Sequence, residues 1–246
     1  MNKSNLNPKD ISASVVGLGI MGCSITACLL MAGHPVVAIA PIPGDMITAK
    51  PRILEHLKKS LKEGITTKKS KDLLAKLTIT EDYGMLKECK LVIECTLEDL
   101  DIKKNVYTKI ESHVGDNTII TSNTSAIPIS ILQNDTKVPS RFLGLHWAEP
   151  SHTTRFLEII CGDHSTIKHA EWLYELSSFW GKEPTLVRKD IRGFITNRLM
   201  YAMYREAFSL VENGYASVED VDRACRNNAG YWMTLVGLFR WMDLTG

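Results

Sequence analysis

The chain has 246 residues, 44% of them hydrophobic and 23% charged, values that exclude a disordered tail, a collagen-like repeat and a disulfide miniprotein. Lys and Arg number 29 against 28 Asp and Glu, so the net charge of +1 announces neither a nucleic-acid binder nor an acidic partner-binding tail. The six cysteines form no CxxC pair and no zinc-type Cys/His spacing, which points to free thiols in a reducing compartment and to no metal.

Residues 1–10 show neither an apolar signal core nor an Arg-rich amphipathic pattern, so a cytoplasmic location is expected. Ile11 to Gly44 carries no Asp, Glu, Lys or Arg and is long enough to span a bilayer. Gly17, Gly19, Gly22, Gly33, Pro35, Pro41 and Pro43 break it into pieces, however, and a buried strand, a helix and a second buried strand explain it better.

Further strands are expected at Leu77–Thr80, Leu91–Cys95 and Thr118–Thr121, with helices near Ile20–Ala32, Arg52–Lys62, Lys69–Leu74 and Leu100–His113. Arg141–His146, Phe156–Cys161 and Thr185–Arg188 add three more strand-like runs around a helix at Ile167–Trp180. Strands that are apolar on both faces and alternate with helices imply an α/β fold, a mainly parallel sheet covered by helices. After Lys189 only helical patterns follow, over Phe194–Val211 and Val218–Cys225. Two domains are therefore expected, 1–189 and an all-helical 190–246.

Gly17-Leu18-Gly19-Ile20-Met21-Gly22 is a GxGxxG loop directly after a strand and opening a helix. Its first glycine suits a tight turn, its second lets backbone approach a pyrophosphate, and its third allows close helix–strand packing. The helix N-terminus supplies unbonded N–H groups to phosphate oxygens. A dinucleotide such as NAD is the implied ligand, contacted by Gly17, Gly19, Ile20, Met21 and Gly22. The acid that holds the ribose hydroxyls of NAD should end the second strand, yet that place is Ala40, and Asp45 is the nearest acid. Loss of the carboxylate there also removes repulsion against a 2′-phosphate, so NADP stays open as the cofactor, with Lys50 or Arg52 as its basic partners.

Residues 50–76 hold nine Lys or Arg and three acids, a local charge of +6 that leaves −5 for the rest of the chain. Leu54, Leu57, Leu61 and Ile65 give this hairpin an apolar stripe, so it reads either as a landing surface for a phosphate-bearing ligand or as a solvated helix face.

His146 ends one strand in Gly144-Leu145-His146-Trp147-Ala148-Glu149-Pro150, and Glu158 lies on the next in Phe156-Leu157-Glu158-Ile159-Ile160. A carboxylate on an adjoining strand fixes the imidazole tautomer and leaves the other nitrogen for general base work. Upstream, Ser122-Asn123-Thr124-Ser125 places small polar groups at a strand's C-terminal edge.

Taken in order, GLGIMG (17–22), IECTLEDLDIKK (93–104), SNTSAIPIS (122–130), GLHWAEP with FLEII (144–160) and GFITNRL (193–199) resemble the 3-hydroxyacyl-CoA dehydrogenase family over essentially the whole chain. The resemblance implies a Rossmann-like domain followed by a helical domain that mediates dimerisation and closes the cleft. It casts His146 as catalytic base, Glu158 as its orienting partner, and Ser125 and Asn197 as polar residues around the reacting oxygen. Cys95, Glu98, Lys103 and Asn123 match the family's cofactor contacts, and the basic hairpin falls where the family contacts CoA. The implied partners are a small molecule, a CoA thioester in the first instance, and a second copy of the chain, with no nucleic acid and no membrane.

Two positions depart from the family pattern. Glu149 stands where the family carries Asn; a carboxylate cannot donate a hydrogen bond as an amide does, and it puts a second negative charge near His146. Ala40 is the other. Both favour the alternative of a dinucleotide-binding protein with impaired catalysis, whereas His146, Glu158, Ser125 and Asn197 favour the enzyme. The last residues, Asp243–Gly246, come where family members continue through more helices, so the helical domain is expected to be incomplete. A third type, with a helical lysine base in a Gly-rich motif, lacks that motif here.

Overall fold

The computed structural model describes residues 6–246. Strands β1 (Ala13–Val16), β2 (Val36–Ile39), β3 (Leu77–Thr80), β4 (Leu91–Glu94), β5 (Ile119–Ser122), β6 (Phe142–Trp147), β7 (Phe156–Cys161) and β8 (Glu183–Val187) form one sheet in the order β3-β2-β1-β4-β5-β6-β7-β8. The order reverses direction at β1, where β2 lies on one side and β4 on the other. Such a reversal opens a crevice at the carboxyl ends of the strands. Pairing is parallel from β3 to β6, antiparallel between β6 and β7, and parallel again between β7 and β8. The expected mainly parallel sheet with a helical C-terminal domain is the fold observed.

Both faces are covered. On one, α1 (Ile20–Ala32), α2 (Pro43–Lys62), α3 (Ser70–Leu74) and α6 (Ile167–Ser177) pack over Val15, Ala38, Ile93 and Leu145. On the other, α4 (Leu100–Glu111) and α5 (Ile129–Gln133) pack over Val16, Ile39, Val92 and Ile120. Alternate residues of each short strand thus serve opposite cores, and this is why these strands read as continuous apolar runs. Burial of each Val, Leu or Ile side chain contributes about 1.5–3 kcal/mol, so the sheet is a stiff platform for whatever its edge carries.

Helix α2 begins at Pro43, nine residues before the expected start at Arg52. Pro43 opens it, where a missing N–H costs nothing, and the helix runs on through Pro51. Its buried face is Ala49, Ile53, Leu57 and Ser60, whereas Leu61 and Ile65 are exposed. The stripe is therefore rotated from the expected one, because small Ala49 and Ser60 can sit against a neighbour where bulkier residues cannot. Helix α5 was not expected at all; it is one short turn after Pro128.

The chain divides into two compact units, Met1–Phe194 and Ile195–Gly246. The second contains α7 (Thr196–Glu212), α8 (Val218–Ala224), a π turn over Cys225–Ala229, α9 (Gly230–Met233) and α10 (Leu238–Thr245). None of its residues is buried, and Tyr201, Met203, Phe208, Phe239 and Leu244 are exposed apolar groups. No helix among the described residues is long and apolar enough to cross a membrane.

Candidate active site

The glycine loop leaves β1 with Gly17 at φ +99°, a conformation L side chains rarely adopt. A Cβ there would lie 2.7 Å from the Cys95 carbonyl oxygen, and one on Gly22 only 1.8 Å from the Gly17 oxygen. Both positions are closed to any other residue by this geometry. Gly19, by contrast, faces open space and caps α1 without a side-chain hydrogen bond. The first N–H groups of α1 are thereby left for a ligand, with no acid in the first turn to compete.

That loop forms one wall of a cleft of about 570 Å³, which Met21, Asp45, Cys95 and Thr96 also line. Ile20, Ile42 and Leu97 give it an exposed apolar rim. Burial, reinforced by Glu94, pushes the Cys95 thiol well above its ordinary 9.0, so Cys95 serves the cleft as a small neutral wall and not as a thiolate. An unbonded helix N-terminus, a glycine cradle and an apolar rim fit a dinucleotide. These residues would hold its pyrophosphate on backbone N–H groups.

Further along the sheet, the antiparallel pairing of β6 and β7 sets His146 directly opposite Glu158. His146 Nδ1 donates to Glu158 Oε2 over 2.9 Å, and Glu158 is fully buried. Phe156 meets the imidazole edge-on at 5.3 Å and Phe194 lies 5.7 Å away, so the ring is held by apolar contacts as well. With the proton of Nδ1 committed to the carboxylate, Nε2 is the nitrogen left for proton exchange.

Polar residues at the neighbouring strand ends build the rest. Asn123 Oδ1 accepts the Trp147 N–H at 2.9 Å, which ties the end of β5 to the residue after the histidine. Glu98 accepts from the Thr124 hydroxyl and from the Ser125 N–H at 3.0 Å, so it shapes the Ser125 turn. Lys103 is buried, with its ammonium 2.8 Å from Glu94 and 3.5 Å from Glu98. Of the expected cofactor residues, Gly17, Gly19, Ile20, Met21 and Cys95 line the cleft, whereas Gly22 packs on Gly17, and Glu98, Lys103 and Asn123 are not among its lining residues. Asn197 lies in the first turns of α7, in the helical unit. Glu149 is exposed in the loop between β6 and β7. Lys58, Lys59, Lys62 and the other basic side chains of the hairpin are all exposed.

Sequence reading missed two residues. Glu94, fully buried at the end of β4, accepts hydrogen bonds from the Thr96 N–H and hydroxyl, Lys103, Tyr107 and Ser122. A glutamate closing an otherwise apolar strand was the available signal. Lys182 is the other: its buried ammonium donates to the carbonyls of Ser151 and Thr154 and sits 5.0 Å over the Trp147 ring. Burial draws its pKa below the ordinary 10.5, and its contacts pin the loop that joins the His146 and Glu158 strands.

Comparison with known proteins identifies the family. Residues 12–191 match the 3-hydroxyacyl-CoA dehydrogenase NAD binding domain, and residues 193–246 match the C-terminal domain of the same family. The chain is 33% identical to 5-formyl-3-hydroxy-2-methylpyridine 4-carboxylate 5-dehydrogenase of Mesorhizobium japonicum, over 95% of this chain and 75% of that one. It is 32% identical to the mitochondrial hydroxyacyl-coenzyme A dehydrogenase of Homo sapiens, with the same coverage. Its fold superposes on the crystal structure of (S)-3-hydroxybutyryl-CoA dehydrogenase from Ralstonia eutropha with a TM-score of 0.84 at 30% identity, covering 89% of this chain and 77% of that one. On these matches the chain belongs to the 3-hydroxyacyl-CoA dehydrogenase family of NAD-dependent oxidoreductases.

Proposed function

We propose that the chain moves a hydride between the hydroxyl-bearing carbon of a 3-hydroxyacyl-CoA, or a related 3-hydroxy acid, and a nicotinamide. The observation that carries this reading is the rung formed by His146 and Glu158, 2.9 Å apart, in the same sheet that carries the glycine loop. When bound, the nicotinamide supplies the hydride acceptor. His146 Nε2 takes the hydroxyl proton as the carbonyl forms, and in the opposite direction its imidazolium returns that proton to the developing alkoxide. Glu158 holds the ring orientation through Nδ1 and stabilises the imidazolium charge. Ser125 and Asn197 are assigned to the reacting oxygen, and Glu98, Lys103 and Asn123 to the support of the cofactor side.

The exposed lysines of the hairpin support a CoA thioester as substrate, since CoA carries several phosphate charges. A second reading, a smaller ring-bearing acid as substrate, is favoured by the pyridine carboxylate named for the Mesorhizobium relative. The exposed apolar residues of α7 and α10 support a homodimer.

The test is oxidation of NADH and NADPH in the presence of acetoacetyl-CoA or free 3-oxo acids. His146→Gln is expected to lower kcat by ~10²–10⁴ with substrate KM little changed. Unchanged turnover would remove His146 from the role, and no turnover with any substrate in the wild type would favour a binding protein.

A further inference from the structure

The strand end that carries the ribose-binding acid in a dinucleotide fold is Ala40, itself buried, so it contributes only a methyl group there. Three residues on, the chain turns into α2 at Pro43, and Asp45 falls in the first turn of that helix. Its carboxylate points back at the glycine loop: Oδ2 lies 3.4 Å from the Leu18 N–H, the amide between Gly17 and Gly19. Asp45 lines the same cleft as Gly17, Leu18, Gly19, Pro41 and Ile42. An ionised carboxylate has about four lone-pair sites, and a single long bond leaves most of them for a ligand. The positive end of the α2 dipole favours negative charge in the first turn.

From this we infer that Asp45 is the carboxylate that accepts the adenosine ribose hydroxyls, taking over from the missing acid at position 40, and that it selects NAD over NADP. The inference rests on reading the cleft as a dinucleotide site. A 2′-phosphate within reach of Asp45 meets like charge, and an unpaired hydroxyl acceptor rejects a ligand that lacks the hydroxyl.

The neighbouring recess of about 370 Å³ beside Ala40 contains the groups that compete with this assignment. Lys109 and His113, rather than Lys50 or Arg52, are its basic residues, and Glu81 is its acid. The Lys109 ammonium lies 5.9 Å from the Tyr83 ring centre. Glu81 faces this recess but does not line the glycine-loop cleft, which separates it from Asp45. With Asp45 and Glu81 against Lys109, the mouth carries no excess of positive charge for a phosphate.

The test is calorimetric and fluorescence titration of the whole protein with NADH, NADPH, ADP-ribose and its 2′-phosphate, without substrate. Wild type is expected to bind NADH at least about tenfold more tightly than NADPH. Asp45→Asn and Asp45→Ser should each weaken NADH and ADP-ribose by about tenfold or more and bring the NADH to NADPH ratio close to one. Glu81→Gln should leave the ratio where it was. The inference is overturned if both Asp45 variants keep the wild-type ratio, if Glu81→Gln collapses it instead, or if wild type prefers NADPH. Failure of wild type to bind any of the four ligands sinks the dinucleotide reading itself, a different result. Two variants of a partly exposed side chain, checked by circular dichroism, separate lost binding from lost folding.

Discussion

Two fully buried glutamates stand at the same edge of the sheet, and they are used differently. Glu94, at the end of β4, is surrounded by Thr96, Lys103, Tyr107 and Ser122, so a fixed ammonium answers its charge. Glu158, within β7, faces the imidazole of His146, a partner that can carry a proton or give it up. A carboxylate with a permanent counter-charge is a structural tie; one paired with a titratable ring can serve a reaction. The first region fastens β4, α4 and β5 together, and the second offers chemistry beside them.

The largest effect that can test this contrast is on stability. Lys103→Met leaves the Glu94 carboxylate buried without its cation and is expected to destabilise the fold by about 3–5 kcal/mol, read from urea midpoints. A loss below 1 kcal/mol would show that Glu94 is not held by this pair. Next, Glu158→Gln keeps the hydrogen-bonding size of the side chain but removes its charge. It should lower kcat about a hundredfold while KM changes little, with a far smaller stability loss than Lys103→Met. Equal stability losses at the two sites would erase the distinction between tie and catalytic partner.

A smaller effect comes from a second buried histidine. His34 donates from Nδ1 to the Ile11 carbonyl at 2.8 Å and accepts at Nε2 from the Trp180 indole at 2.9 Å. Both nitrogens are committed, and only the neutral ring satisfies both bonds. Burial lowers its pKa below the ordinary 6.5, so the unfolded chain takes up the proton first. Stability held above pH 6.5 should therefore fall as acid is added below it, by at most about 1.4 kcal/mol for each pH unit from this group. His152, also lowered by burial, acts in the same direction. Urea midpoints at pH 8, 6 and 5 measure the slope, and His34→Gln should make it shallower.

The glycine loop and the His146–Glu158 pair were legible in the sequence because each follows from local order. One is a contiguous motif, and the other is a pair of residues on consecutive strands whose twelve-residue separation suits a facing position. The Glu94 cluster was not legible, since its partners come from positions 96, 103, 107 and 122 and meet only once β4, α4 and β5 are assembled. Lys103 illustrates the point: its place in the family pattern suggested the cofactor, whereas its ammonium is bonded to Glu94. The start of α2 was hidden for another reason. Pro41 and Pro43 read as breakers, yet proline is well suited to the first position of a helix and Pro43 occupies it. That hidden first turn contains Asp45, and so the part of the site hardest to read from sequence is also where the missing acid is replaced.

The rung between β6 and β7 has one further consequence. A slip of one residue in that ladder would turn every side chain to the opposite face, so the hydrophobic cores above and below the sheet also keep His146 facing Glu158. The connecting segment 148–155 is pinned by Lys182 at Ser151 and Thr154, which fixes the other end of the same ladder. Substitutions in either core, far from both side chains, are thus a way to break the His146–Glu158 pair without touching it.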